Sequence, residues 1–328
     1  MSDAWDARDV LRQVAPERRV ASTTSIRRGN HKQTTIATFA DGDHVVVQLS
    51  SDPDALRTEF ALARAVRERT SIPVPSVVAA GEIDDGGETG YVVVERAAGV
   101  DLHTQFADLS SDDQRRLAHS FGRYLAELHE AFRFDGYGNV VASGGDGKAE
   151  PTTFEVRTPE TAWSSWFYAY AREGVDALPP AFDSLRADLF DAIVASDLPT
   201  APASVLFPWD LRPGNALVDD GSVTAVLDWG DPLAAAAGLS VAKTEHLVAD
   251  WYVSDEAPLR AAFRAGYRSV RPLPATPTLY RIVAVVRSAV DSQGVVTRPQ
   301  YPELGGQAAV DFHADRLSDL LSSLPPDS

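Results

Sequence analysis

Two hydrophobic periods divide this chain, and the division limits what it can fold into. Up to about residue 97 the apolar residues gather in short β-branched runs, whereas beyond Gly99 they recur mostly at helical spacing. At 328 residues the chain is too long for one ordinary core. The expectation is an α+β fold of two packed lobes. Residues 1–97 would form a small antiparallel-sheet lobe with one main helix, and residues 98–328 a larger, mostly helical lobe.

Within the first lobe, residues 19–50 read as three short strands. Residues 34–40 are β-branched and aromatic, Asp41-Gly42 is a hairpin-turn signal, and residues 44–49 are Val-rich. The polar residues 25–33 before them read as a hairpin loop able to lie over a ligand. Pro53 opens a helix to about Arg69, with Leu56, Phe60, Ala63 and Val66 on one face. Residues 77–82 and 90–95 read as two further strands, joined by an acidic turn at residues 84–87. In the second lobe the spacing predicts helices over residues 112–130, 159–173 and 181–195, and over most of residues 233–321. A β-type island at residues 217–227 is the exception, and residues 135–152 read as an exposed loop.

Charge excludes some partners. Thirty basic residues stand against 47 acidic ones, and a net charge of −17 repels phosphate backbones and anionic membranes, so neither nucleic acid nor a membrane surface is expected as a partner. Only three of the cations are lysines, Lys32, Lys148 and Lys243. Acidity with scarce lysine is the composition of a protein kept soluble in high salt; a high-GC genome would explain the arginine but not the acid. Cysteine is absent, which removes disulfides and thiolate metal sites. The first six residues have neither a basic head nor an apolar stretch, and no run of eighteen apolar residues occurs, so the reading is cytoplasmic. Monomer and homodimer both remain compatible.

The island and its flanks carry the chemistry. Asp210 is followed five residues later by Asn215, then by a strand, the turn Asp220-Gly221, a second strand, and Asp228 in Asp-Trp-Gly. A hairpin of this length folds Asp228 back beside Asn215. Phosphoryl transfer from a nucleotide needs such a set: a carboxylate to orient and deprotonate the attacking hydroxyl, and an amide oxygen with a second carboxylate to hold magnesium against the phosphates. Asp210, Asn215 and Asp228 fit these roles in that order.

The same stretch resembles the catalytic and metal-binding loops of the aminoglycoside phosphotransferase, choline kinase and fructosamine kinase group, which share the two-lobed protein-kinase-like fold. The resemblance covers nearly the whole chain. It implies ATP as donor, Mg2+ held by Asn215 and Asp228, and a small-molecule acceptor bearing a hydroxyl or amine. It also places the loop with Gly29 over the phosphates and Val94, Glu95 and Arg96 at the connector where adenine is bound through backbone groups. The side chains of Glu95 and Arg96 then either assist or merely face solvent.

Two departures from the family pattern stand out. The third strand should carry a lysine that contacts the phosphates and pairs with the helix glutamate, but Gln48 occupies that place, which leaves Glu59 without its ion-pair partner. The histidine usual two residues before the catalytic aspartate is replaced by Pro208, and Pro208 with Trp209 can stiffen the turn by packing. Lys32, with Arg27 and Arg28 as further candidates, either points down into the site, as in the with-no-lysine protein kinases, or is a solvated loop charge. The aromatic segment 163–170 is either core or a wall of the acceptor pocket. Asp231 contacts acceptor or metal, or only starts a turn, and His246 reads as structural. These features support a small-molecule kinase first, a nucleotide-binding pseudokinase second, and a binding module without nucleotide third.

Overall fold

The computed structural model describes residues 6–26, 32–83, 89–143, 152–195 and 197–325. Alternation in the first lobe produces five strands, β1 (Val20–Ile26), β2 (Gln33–Phe39), β3 (His44–Ser50), β4 (Val77–Glu82) and β5 (Gly90–Glu95). They pair antiparallel in the order β1-β2-β3-β5-β4. One face of this sheet buries Ala37, Phe39, Val45, Val47 and Leu49 beneath Ala7, Val10 and Leu11 of α1 (Ala7–Val14). The opposite face sets Val92 and Val94 against Leu56 and Phe60 of α2 (Pro53–Arg69). Asp52 caps α2 by accepting the Ala55 N–H at 2.9 Å, and Pro53 fits the first turn, where no N–H is needed.

The sequence reading assigns no element to residues 7–14. A reciprocal capping box between Asp6 and Asp9 and three buried side chains hold α1 there, in a segment too short for a 3.6-residue period to stand out.

Past the connector come β6 (Val100–Asp101), α3 (Leu102–Gln105), α4 (Ser111–Ala131), β7 (Arg133–Phe134), β8 (Gly138–Ser143), β9 (Thr153–Val156), α5 (Trp163–Ala177) and α6 (Asp183–Ala195). The chain continues through β10 (Ser204–Phe207), β11 (Ala216–Asp219), β12 (Ser222–Val226), β13 (Leu233–Ala236) and α7 (Ala237–Glu245). A π-turn, His246–Asp250, extends α7, and α8 (Ala257–Arg268), α9 (Thr278–Val286) and α10 (Gln307–Ser322) complete the fold. Among the described residues no helix is long and apolar enough to cross a membrane.

This lobe holds more strand than the periodicity implies. Residues 217–227 are not its only β-structure: a second sheet runs β7-β10-β13-β8-β9, beside the small sheet β12-β11-β6. Leu233–Ala236 was expected to be helical, and pairs instead with β10 in full register from Ser204↔Ala236 to Phe207↔Leu233. Alanine favours helix intrinsically, but both faces of this strand are buried and tertiary pairing overrides the propensity. Part of the expected loop 135–152 is β8, paired to β9 and β13; residues 144–151 lie outside the described residues, as does the predicted turn at 84–87.

Two glycines let α4 and α8 touch backbone to backbone. A Cβ on Gly122 would overlap the Phe263 carbonyl oxygen, and one on Gly266 would overlap that of His119. Beside this contact, His129 hydrogen-bonds Tyr267 Oη at 2.8 Å and Ser240 Oγ at 3.0 Å, and burial pushes its pKa down to about 3, so it is a neutral pin. A methyl group at either glycine must separate the helices. Gly122→Ala and Gly266→Ala are each expected to lower unfolding free energy by at least about 2 kcal/mol, the range of core overpacking, in denaturant titration at molar KCl. Wild-type stability in both variants would show that the helices are free to slide.

Candidate active site

The β10 strand delivers the chain into the cleft at Phe207, and the segment from Pro208 to Asn215 folds back on itself. Asn215 closes this loop, its Nδ2 donating to the Asp210 carbonyl at 2.9 Å and to Asp210 Oδ2 at 3.0 Å. Arg212 Nε donates to the same Oδ2 at 2.9 Å, with its guanidinium 5.3 Å from the Trp251 ring centroid. Asp210 is therefore anchored through one oxygen. Among the described residues no donor reaches its Oδ1, and the residue lines a cavity of about 930 Å³. With its Nδ2 turned to Asp210, Asn215 keeps its amide oxygen as an acceptor.

The following hairpin is what brings Asp228 to this loop. Ala216 pairs with Val226, and Leu227 N–H donates to the Asn215 carbonyl at 2.8 Å, so the return strand ends level with Asn215. Asp228 then turns with φ of +61°, a left-handed conformation that costs a non-glycine residue about 1 kcal/mol or more. Neighbouring bonds hold it there. Trp229 is buried with Nε1 donating to the Val226 carbonyl at 3.2 Å, and Val226 N–H reaches across to the Pro73 carbonyl at 2.8 Å.

Glu59 is not left without a cation. Lys32 Nζ lies 2.7 Å from both Glu59 carboxylate oxygens and 3.1 Å from Asp228 Oδ1. This corrects the expectation of an unpartnered Glu59, and it also removes the reading of Lys32 as a solvated loop charge. Strand geometry explains the substitution: Thr34 pairs with Gln48, and Lys32 lies two residues before Thr34, so it follows the same face of the sheet as Gln48. Burial works against the Lys32 ammonium, but Glu59 and Asp228 more than offset it and raise its pKa. Gly29, Arg27 and Arg28 lie outside the described residues.

At the connector Val94 is half-buried over α2, while Glu95 and Arg96 are exposed. Two of its N–H donors are already engaged, Glu95 with the Ser76 carbonyl at 2.9 Å and Arg96 with the His44 carbonyl at 3.4 Å. Gly99, at φ of +115°, passes so close to Val218 and Thr224 that a Cβ would meet the Thr224 hydroxyl at 2.6 Å. The connector is thereby pressed onto the β11–β12 hairpin.

The cavity opens from Asp210 and Asp228 toward α5 and α9. The aromatic segment divides between its two anticipated roles: Trp163 and Phe167 are fully buried core, whereas Trp166 and Tyr170 line the cavity. Asp231 also lines it, at φ of +50°. His246 is internal, bonded to Asp250 Oδ2 at 2.9 Å and to Trp251 Nε1 at 3.2 Å, as a structural residue would be. Three cations at the cavity were assigned no role from the sequence. Arg212 sits inside the Asp210–Asn215 loop, whereas Lys243 on α7 and Arg287 just past α9 belong to no motif.

Known proteins bear on this geometry. The family model described as "Phosphotransferase enzyme family" matches residues 22–279. A crystal structure of aminoglycoside phosphotransferase APH(4)-Ia superposes with a TM-score of 0.64 at 18% identity, covering 97% of this chain and 98% of its own. A thermostable mutant of that enzyme, solved in ternary complex with AMP-PNP and hygromycin B, gives 0.62 at 19% identity over 93% of this chain and 94% of its own. The putative fructosamine-3-kinase of Thermobifida fusca gives 0.54 at 19% identity, with 97% of each chain covered. No curated protein sequence matches. These structures share the two-lobed fold expected from the sequence, and the family model spans most of the chain, including Lys32, Glu59 and the whole Asp210–Asp228 segment: the chain belongs to the phosphotransferase enzyme family.

Proposed function

We propose that the protein is a small-molecule kinase that transfers the γ-phosphoryl group of ATP to a hydroxyl held in the 930 Å³ cavity. The observation that carries this reading is that Asp210 and Asp228 both line that cavity, with Asn215 bonded to Asp210 and paired with the residue before Asp228, and with Lys32 supplying the positive charge that Gln48 lacks. In this reading the nucleotide lies between residues 1–97 and 98–328, under the Gly29 loop and against Val94, Glu95 and Arg96.

The donor set fits magnesium. Two hard oxygen ligands, the Asn215 amide and the Asp228 carboxylate, come from adjacent ends of one hairpin, and Mg2+ commonly takes one or two protein oxygens with the rest from phosphate and water. The ion, when bound, neutralises charge building on the phosphates. The chain's own groups do the rest. Arg212 and Asn215 fix Asp210 through Oδ2, so Oδ1 is directed to the acceptor hydroxyl, orients it and takes its proton. Lys32, oriented by Glu59, places a cation at the Asp228 end of the cleft, where it would meet the phosphates. An absent strand lysine argues for a pseudokinase; a lysine delivered to the same glutamate from the neighbouring strand supports the kinase.

Asp210→Ala should keep ATP affinity within about threefold and reduce turnover by about 10² to 10⁴, the worth of a positioned general base. Normal turnover in this variant would remove the mechanism. In calorimetry at molar KCl, Asp228→Ala is expected to abolish the magnesium dependence of ATP binding, and its persistence would place the ion elsewhere. Lys32→Ala should weaken ATP binding at least tenfold, by analogy with the loss of a charged contact, and Gln48→Lys added to it should restore much of the loss. Unchanged affinity in Lys32→Ala would reduce the lysine to a structural pin.

A further inference from the structure

The deep wall of the acceptor cavity carries a feature that phosphoryl transfer does not need. Lys243 is 3% exposed, and its ammonium sits 3.2 Å from the centroid of the Trp209 ring. Arg287 stands over the same ring at 5.2 Å and over Tyr170 at 4.3 Å. Two cations thus share one indole. Among the described residues Lys243 makes no ion pair, and the partner of Arg287 is Glu173 at 3.4 Å, a rim carboxylate 73% exposed and screened by solvent. Ser288, beside Arg287, is buried with its hydroxyl unpartnered, and it lines the same cavity.

The cavity also has carboxylates, but among the described residues none pairs with Lys243, and only the rim Glu173 pairs with Arg287. Asp210 is bonded to Arg212 and Asn215, Asp228 faces Lys32, and Asp291 Oδ1 accepts the N–H groups of Gln293 and Val295 in its own turn. Asp231 is exposed at the Asp-Trp-Gly turn, at the metal end. Two basic groups crowded on one ring beside an unsatisfied hydroxyl are costly to keep charged unless something negative joins them.

We infer that the acceptor is an anionic hydroxy compound whose carboxylate or phosphate group sits between Lys243, Arg287 and Ser288, with its hydroxyl directed to Asp210. An apolar or planar body would lie along Trp166 and Tyr170, whose rings stack at 4.8 Å. Burial pushes the Lys243 pKa well down, Asp210 pulls it back up, and Arg287 and Arg212 add to the depression. An arriving anion would therefore recharge this lysine and gain from doing so. The inference rests on the kinase reading for the direction of the hydroxyl, but its anion site is testable without nucleotide.

Mandelate, styrene glycol and phenylethanolamine share a ring and a benzylic hydroxyl and differ in charge, so calorimetry of the nucleotide-free protein at fixed KCl isolates the charge preference. Mandelate is expected to bind at least tenfold tighter than the other two, and Lys243→Gln and Arg287→Gln should each remove most of that preference. A parallel ADP-release screen with Mg–ATP should find turnover among hydroxy acids and sugar phosphates rather than among choline, ethanolamine and hygromycin B. Tighter binding of phenylethanolamine, no measurable binding of mandelate, or turnover confined to the amines would overturn the inference. Failure of the wild type to bind Mg–ATP would count against the kinase reading alone and leave the anion preference to be read. Lys243→Met supplies a second measurement: a lysine kept for a ligand should melt higher when replaced by an apolar side chain, because a buried amine without an ion-pair partner is costly in either protonation state. A lower melting temperature together with an unchanged charge preference would mark a structural lysine and sink the proposal.

Discussion

A single ammonium group ties together the three pieces that an active cleft must hold in register. Lys32 enters from just before β2, Glu59 from the middle of α2, and Asp228 from the end of the β11–β12 hairpin, and the Lys32 ammonium lies within 3.1 Å of both carboxylates. Glu59 is 7% exposed, and a buried carboxylate of that kind is strongly destabilising when its counter-charge is missing. The sheet, the helix and the Asp-Trp-Gly turn therefore depend on one bond set. A lysine on the neighbouring strand satisfies this requirement as well as one on β3, because strands that pair in register present alternate residues to a common face. The demand is for a charge at a point in space, and two different backbone positions can reach it.

Backbone constraint does the remaining positioning. Gly99 admits the connector into contact with Val218 and Thr224, and Thr224 Oγ1 donates to the Ala98 carbonyl at 2.6 Å. The hairpin that carries Asp228 is thus pinned to the segment joining the lobes. Pro73, at the end of the α2 segment, accepts from Val226 on the same hairpin. A left-handed aspartate survives only where the surroundings over-determine it, and here buried Trp229 and these two crossings supply that excess.

What the sequence disclosed follows from which interactions are local. The strands of the first lobe, α2 with its opening proline, and the Asp210–Asn215–Asp228 spacing are consequences of short-range pattern, and all were readable. The strand Leu233–Ala236 was not, since a leucine followed by three alanines carries no alternation and pairing with β10 and β8 decides its state. The helix α1 was hidden by its brevity. Lys32 was named but could not be placed, because its partner is 27 residues away and the choice between solvent and Glu59 is tertiary. Lys243 and Arg287 meet only at Trp209, and nothing within a few residues of either announces it. Trp209 itself, noted only as stiffening beside Asp210, is the surface on which they converge.

The overall charge of −17 and the cations of the cavity belong to different length scales. Surface carboxylates act through solvent, and at molar salt their field dies within about 3 Å. The interaction between an anionic group and Lys243 acts at contact distance in a desolvated wall, where screening is weak and the dielectric low. An acidic exterior therefore says nothing about the sign of the acceptor, and the interior says more. In a chain with three lysines, two stand in the cleft, one on Glu59 and Asp228 and one against Trp209. Arginine, weakly hydrated and permanently charged, is the commoner cation elsewhere in the chain, whereas these two positions carry the compact point charge of an ammonium, whose protonation responds to burial and to the charges around it.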